Sequence, residues 1–277
     1  MTRKIIGYYS DTLNEPETGR LTLEIGQRQL ACMVRKPGQK TPDGFELFDI
    51  EDEDMEPADL FSSIQSGSRI LTRGYPNTRC YYNTPEALIM PAAKFSPAAA
   101  EDFLSLVFGE SQEADTRHDR LPGDLVTIYR VPKSLHELVG RNFVLYQPHH
   151  SFSGLLEQVI ARKDLPSHYL KLQFYAHHFI LLYMKQGQLQ LIRSFSYQSP
   201  QDVLYHLSNM AQQFHIPAAE ALIEVSGMLE ADGISQKQLH ALFGHVQFDS
   251  IAGDEAFLSA TALYPAYYFT PAYNLPA

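Results

Sequence analysis

Apolar positions recur in a similar way along two stretches of this chain. In the later one, from Tyr169 to Gly227, LKLQFYAHHFILLYMK and LQLIRSF read as extended runs about a turn at Gln186-Gly187. A helix follows, and a last run, ALIEV, ends at Ser226-Gly227. That helix is the clearest in the sequence. Ser199 stands at its N-cap, Pro200 at its first position and Asp202 near the third, with Val203, Leu207, Met210 and Phe214 at helical spacing. A stripe of this kind is read as core. In the earlier stretch Leu21, Leu23 and Ile25 alternate with polar residues before Gly26. A second alternation closes at Pro37-Gly38, and Phe45, Leu47 and Asp49 open a third run that leads to the helix-like PADLFSSI.

Between and around these stretches the signals are more local. Residues 1–20 read as a leader or peripheral strand, and Gly67 to Tyr82 as turn-rich. EALIMP and DLVTIYRV read as strands, NFVLYQP as a brief strand or extended connector, and Glu110 to Gly123 as an exposed polar loop. Ser96-Pro97 predicts a helix start, with Phe103, Leu104, Val107 and Phe108 as the apolar face and Gly109 as the stop. Ser134 with Glu137, and Ser235 with Gln238, have capping-box spacing, and Ser153 is placed to cap a helix carrying Leu155, Leu156, Val159 and Ile160. The rings of Tyr264, Tyr267, Tyr268, Phe269 and Tyr273 predict an ordered tail. That tail either covers the second half's own core or offers a surface to a protein partner.

Composition narrows the class. With 277 residues, 44% hydrophobic and 19% charged, the chain is an ordinary folded protein of one large domain or two lobes. Acidic residues outnumber basic ones 32 to 22, a formal charge of −10, which argues against general nucleic-acid binding. No apolar run approaches a membrane span, and MTRKIIGYYS has no apolar core of a signal peptide, so the simplest expectation is a soluble cytoplasmic protein. Cys32 and Cys80 are too few for a disulfide framework; Cys32 reads as inert core, and Cys80 beside Arg79 as a faint candidate for reactivity.

The histidines do not make a metal site: His149-His150 and His177-His178 are adjacent and point to opposite faces of a strand, and His240 and His245 lack helical spacing. The acidic run from Glu51 to Glu56 reads as a solvated loop before a helix. HHSFSG before the helix could receive an anion on free helix amides, and ordinary capping explains it as well. There is no GxxxxGK[ST] loop and no GxSxG elbow.

The two stretches echo one another: strand, strand, strand, helix, strand, with EALI at Glu86–Ile89 and again at Glu220–Ile223. This order, with the FILLYMKQGQLQLIRSFSYQSPQDVLYHL run, the AEALIEVSG strand and EALIMP, resembles the actin-like ATPase superfamily. Within it the chain looks like the small bacterial pilus-assembly and cell-division members, and more closely like the domain of unknown function 3822 family. The resemblance implies a mixed α/β (α+β) fold of two duplicated actin-like, ribonuclease-H-like lobes, placed here at residues 1–163 and 164–277. It also implies an Asp-x-Gly turn in each lobe, whose carboxylate holds Mg²⁺, and a Gly-Gly pair at the adenosine. The matching residues are Glu24-Ile25-Gly26, Gln173-Phe174-Tyr175 and Ser226-Gly227-Met228. One carboxylate is lengthened, the other is replaced, and the glycine pair is thinned.

Two functions therefore compete. One is a non-catalytic binding or scaffold protein on a degenerate fold, with no cofactor, no catalytic residues and a protein partner at the aromatic tail. The other is an ATP- and Mg²⁺-binding enzyme or switch using Glu24, Gly26, Ser226 and Gly227. The replaced residues favour the first.

Overall fold

The computed structural model describes residues 2–14, 19–51, 56–143, 145–229 and 236–276. They form two compact units. Unit 1 comprises Met1–Val159, Asp254–Thr261 and Ala272–Ala277, and unit 2 comprises Ile160–Gly253 and Ala262–Pro271. A cut at 163/164 therefore does not separate them, because unit 1 reclaims two pieces near the C-terminus.

Unit 1 opens with strands β1 (Thr2–Tyr9), β2 (Arg20–Gly26), β3 (Gln29–Arg35) and β4 (Gly44–Ile50), helix α1 (Pro57–Gly67) and strand β5 (Asn77–Asn83). Strand β6 (Ala87–Pro91), helix α2 (Ala100–Phe108), strands β7 (Ala114–Leu121) and β8 (Leu125–Pro132) and helix α3 (Lys133–Asn142) follow, then β9 (Tyr146–His150) and helix α4 (Ser151–Ile160). The main sheet has the order β1-β4-β3-β2-β5-β9. β2, β3 and β4 form an antiparallel meander, while β5 lies parallel to β2 and β9 parallel to β5. Strands buried on both faces lose the clean alternation of a half-exposed strand, which is why β3 is apolar almost throughout.

The first residues are the peripheral strand of this sheet. β1 pairs with β4, and Lys4 reaches the fully buried Glu46 at 2.8 Å. Glu46 also accepts from Tyr9, from Ser68 and, at 2.9 Å, from the Arg69 amide. Burial alone would raise this carboxyl, but these donors hold it below the usual range.

β6, β8 and β7 form a separate three-stranded sheet on which α2 packs through Ala100 and Leu104 against Val126 and Ile128. The buried Arg130 ties them together, donating to Glu86 at 2.9 Å, to Glu101 and to Ser105 at 2.9 Å.

Unit 2 has β10 (His168–Phe174), β11 (His178–Lys185), β12 (Gln188–Ser196), α5 (Pro200–Gln213), β13 (Leu222–Gly227), α6 (Gln236–Leu242) and β14 (His245–Phe248). Its sheet order is β12-β11-β10-β13-β14, antiparallel over the first three strands and parallel thereafter. This is the order and sense of β4-β3-β2-β5-β9 in unit 1. The β11–β12 turn is closed by Gln186 and Gly187 at φ +51° and +73°, the positive pair that a two-residue hairpin needs. The Ser199 hydroxyl caps α5 by accepting the Asp202 amide, and the Asp202 carboxylate accepts the Ser199 amide at 2.9 Å, completing the capping box. α5 buries Val203, Leu207 and Met210 against Leu170, Leu172 and Phe174 of β10, with Leu239 and Phe243 alongside. Each such side chain contributes roughly 1.5–3 kcal/mol by leaving water.

The structure departs from several local expectations. NTRCYYN, almost all of it in the stretch read as turn-rich, is the interior strand β5, and the polar run before Gly123 is β7. EALIMP lies in the small sheet, so the partner of ALIEV in strand order is β5 and the shared EALI letters do not align equivalent strands. Neither Ser96 nor Ser134 makes a side-chain cap, and Ser153 lies inside α4. On α2 only Leu104 of the expected apolar face is buried; Phe103 and Val107 are exposed. The Ser235 cap and most of the acidic run, 52–55, lie outside the described residues.

The C-terminal part holds helices α7 (Glu255–Ala260) and α8 (Thr270–Tyr273). Its rings divide between the units. Tyr273 packs on Phe257 in unit 1, whereas Tyr267 packs on Phe248 in unit 2. Among the described residues no helix is long and apolar enough to cross a membrane.

Candidate functional site

Glu24 and Gly26 stand near the end of β2, before the turn into β3. Strand alternation sends the Glu24 side chain to the face of the sheet that also carries Tyr81, its partner on β5. There it is 1% exposed, and its Oε1 accepts the Ser151 hydroxyl at 2.8 Å. Ala272 and Leu275 of the C-terminal segment close over it, with Thr22, Ala31, Met33 and Phe45 around, and the void they leave is too small for a water molecule. The cover is fixed at both ends: Arg35 donates to the Tyr273 carbonyl at 2.9 Å, and Tyr81 donates to the Pro276 carbonyl at 3.1 Å. Gly26 uses none of its conformational freedom, since a Cβ there meets only ordinary contacts, the nearest at 3.6 Å.

In unit 2 the corresponding hairpin joins β10 to β11. The Tyr175 amide donates to the His178 carbonyl at 2.9 Å, leaving a two-residue turn of Ala176 and His177. The Tyr175 ring is buried and stacks on His178 at 4.7 Å with the planes 7° apart; its carbonyl accepts the Tyr197 hydroxyl at 2.8 Å. Ser226 is fully buried and donates to the Leu172 carbonyl at 3.1 Å. Gly227 sits at φ +93°, and a Cβ on it would lie 2.1 Å from the Phe174 carbonyl oxygen. Only glycine fits there. Its amide donates to the Tyr267 carbonyl at 2.8 Å, and the Met228 amide to Phe174 at 2.9 Å. Backbone groups that would be free to meet a ligand are thus bonded to the protein itself.

The same face of β10 carries a charged cluster that the sequence reading did not single out. Lys171 pairs with Glu224 at 2.6 Å and with Asp249 at 2.7 Å, and Arg162 pairs with Glu224 at 2.9 Å. A lysine inside LKLQF and a glutamate inside LIEV were the available signals, since a charge in a buried strand needs a partner.

The α4 N-terminus is also already served. Asp119 accepts the His150 amide at 2.8 Å and the Ser153 hydroxyl at 2.6 Å, so the protein's own carboxylate sits where an anion could have been received. Burial would raise Asp119, but His149, Ser153 and the His150 amide keep it low, while burial drives His150 down to about 4. Cys80 is fully buried and its thiol is pushed far up, which removes it as a nucleophile. No cluster of three or more His, Cys, Asp or Glu able to hold a metal occurs among the described residues.

The family model described as "Protein of unknown function (DUF3822)" matches residues 10–246. The chain belongs to the DUF3822 family. No curated protein matches this DUF3822 chain. Among solved structures it is similar to a protein of Bacteroides thetaiotaomicron described as having an actin-like ATPase fold and unknown function. The TM-score is 0.78 at 14% identity, covering 92% of this chain and 99% of that one. It is also similar to the PilM-PilN type IV pilus biogenesis complex, with a TM-score of 0.57 at 13% identity and coverage of 94% and 98%. At these identities the likeness establishes the fold: this DUF3822 protein has the actin-like ATPase fold. Of its candidate residues, Glu24 and Gly26 belong to unit 1, and Ser226 and Gly227 to unit 2.

Proposed function

We propose that this protein is a non-catalytic binding or scaffold protein on a degenerate actin-like fold, arisen by internal duplication. The observation that carries the reading is the state of Glu24. The one carboxylate left at an Asp-x-Gly position is enclosed by Ala272, Leu275 and Phe45, with no room for a water beside it. A magnesium ion holds several waters and gives them up reluctantly, so an enclosed carboxylate is a poor ligand for it. The second hairpin supports the same reading. Gln173 brings no charge, the Tyr175 ring is stacked on His178, and Phe174 presses on Gly227.

A protein partner fits this reading. The most exposed apolar residue of the C-terminal part, Leu263, is 96% exposed beside the half-buried Tyr264, Tyr267 and Tyr268, an apolar edge on an otherwise ordered segment. The PilM-PilN structure is of a complex between proteins, which accords with a binding role for the fold but identifies no partner here.

The test is a melting curve with millimolar Mg-ATP. A ligand at a hundred times its dissociation constant adds about 2.7 kcal/mol, which for a chain this size is a rise of roughly 5 °C or more. The curve is expected not to move in a magnesium-dependent manner. A saturable shift that requires Mg²⁺ and disappears in Glu24→Ala overturns the proposal in favour of a nucleotide switch.

A further inference from the structure

We propose that the groove at the N-terminal ends of β2, β5 and β9 binds a single oxyanion group, a phosphate or a carboxylate. It encloses about 150 Å³, and its polar wall is made by Arg20, Asn77, Arg79 and Gln147. The parallel register explains why these side chains meet. Arg20 lies opposite Asn77, Thr22 opposite Arg79, and Arg79 opposite Gln147, so alternation turns all four polar side chains to one face. Two guanidinium forks and two carboxamides then offer donors to one small volume, the donor set that suits a planar or tetrahedral oxyanion.

Two cations line the groove. The chain has 32 acidic and 22 basic residues, yet neither Arg20 nor Arg79 has a carboxylate within ion-pair distance among the described residues. The buried cations are paired, Arg130 with Glu86 and Glu101 and Lys171 with Glu224 and Asp249, whereas Arg20 is exposed and Arg79 half-buried. Burial raises the Tyr81 hydroxyl and Glu157 adds to the rise, while Arg79, two residues back on β5 and hydrogen-bonded to that hydroxyl, lowers it. An anion between Arg20 and Arg79 would be attracted by both.

Size selects the ligand class. Ordinary small-molecule pockets run from roughly 300 to 1,000 Å³, so this groove admits one oxyanion with a short substituent and excludes a whole nucleotide. The substituent would lie along Leu145, which forms an exposed apolar lip. The groove is also remote from the nucleotide question. Gly26 lies six steps along β2 from Arg20, about 20 Å at ~3.3 Å per residue.

Calorimetric titration of the full chain with inorganic phosphate, and separately with succinate, at ionic strength matched with sodium chloride, tests the proposal. Saturable binding of at least one of them is expected, weakened at least about tenfold by Arg79→Gln and abolished in the double variant with Arg20→Gln. Binding of phosphate alone assigns the groove to phosphate groups; binding of succinate alone assigns it to carboxylates. Glu24→Ala should leave this binding unchanged, which separates it from any nucleotide effect. Should a variant fail to fold, the Nε–H resonances of Arg20 and Arg79 in the unaltered protein are expected to move with the titrant. No saturable binding of either anion, unmoved arginine resonances, or equal binding by the double variant overturns the proposal.

Discussion

Glu224 keeps its charge inside unit 2 because Lys171 and Arg162 stand against it at 2.6 and 2.9 Å. Burial on its own would raise this carboxyl; the two cations more than offset it and bring it down to about 2. The sign of the pH effect follows. Above the unfolded value of about 4.5 both states are ionised and the full contribution is present. As pH falls from there toward 2 the unfolded chain takes up the proton first, and stability is lost at up to about 1.4 kcal/mol per pH unit. Glu224→Gln should cost about 3 kcal/mol at neutral pH, because Lys171 and Arg162 lose a shared partner in the interior. Denaturant unfolding at several pH values should show the variant less steep than the parent between about pH 4.5 and 2. Equal slopes would remove Glu224 as the source. At this scale local chemistry was legible and distant chemistry was not. Ser199 and Asp202 are three residues apart and form the box that their spacing announces. Glu24 could be read as a carboxylate in a strand, but its burial depends on Ala272 and Leu275, which no local pattern connects to it.

Among the elements, the meanders and α5 could be read from periodicity, whereas β5 and β7 could not. β5 carries Arg79 and two asparagines among Cys80, Tyr81 and Tyr82, so its polar letters conceal a strand whose tyrosine bodies are buried. β7, with the sequence ADTRHDRL, is an edge strand of a small sheet and has little need of apolar residues. α8 is the opposite case, a short helix whose final residue is fastened from several sides. The Tyr273 hydroxyl donates to Asp254 at 2.7 Å, its ring lies 4.9 Å from Phe257, and the Arg35 guanidinium is 5.4 Å from the ring centre. Tyr273→Ala should therefore cost about 3–5 kcal/mol, and Tyr273→Phe about 1 kcal/mol for the lost hydrogen bond. Leu263→Ser, at a side chain 96% exposed, should stay within about 0.5 kcal/mol of the parent. Urea midpoints for the three variants check the order. If Tyr273→Ala matched Leu263→Ser, the C-terminal segment would have no part in holding unit 1 together.

For the whole molecule, the two lobes are legible as two consecutive runs of strands and helices, but their closure is not. Unit 1 takes Asp254–Thr261 and Ala272–Ala277 from the far end of the chain. Phe257 is fully buried there, in edge contact with Tyr8 at 5.4 Å and Phe45 at 5.3 Å. Leu275 is equally enclosed, since a Cβ on Gly154 would come within 2.8 Å of it. A fragment of residues 1–163 has every strand of the unit 1 sheets yet leaves the sites of these two side chains, and of Tyr273, open to water. Each vacancy forgoes roughly 1.5–3 kcal/mol of burial, and three together are comparable with the whole stability of a typical domain. The fragment is expected to bind a hydrophobic dye and to unfold without a sharp transition, the behaviour of a collapsed chain lacking fixed packing. Joining residues 254–276 to the fragment through a flexible linker should restore a cooperative transition, because the two reclaimed pieces return with it. A fragment 1–163 that already melts as sharply as the full chain, with no dye binding, would mean that these pieces only decorate a core complete without them.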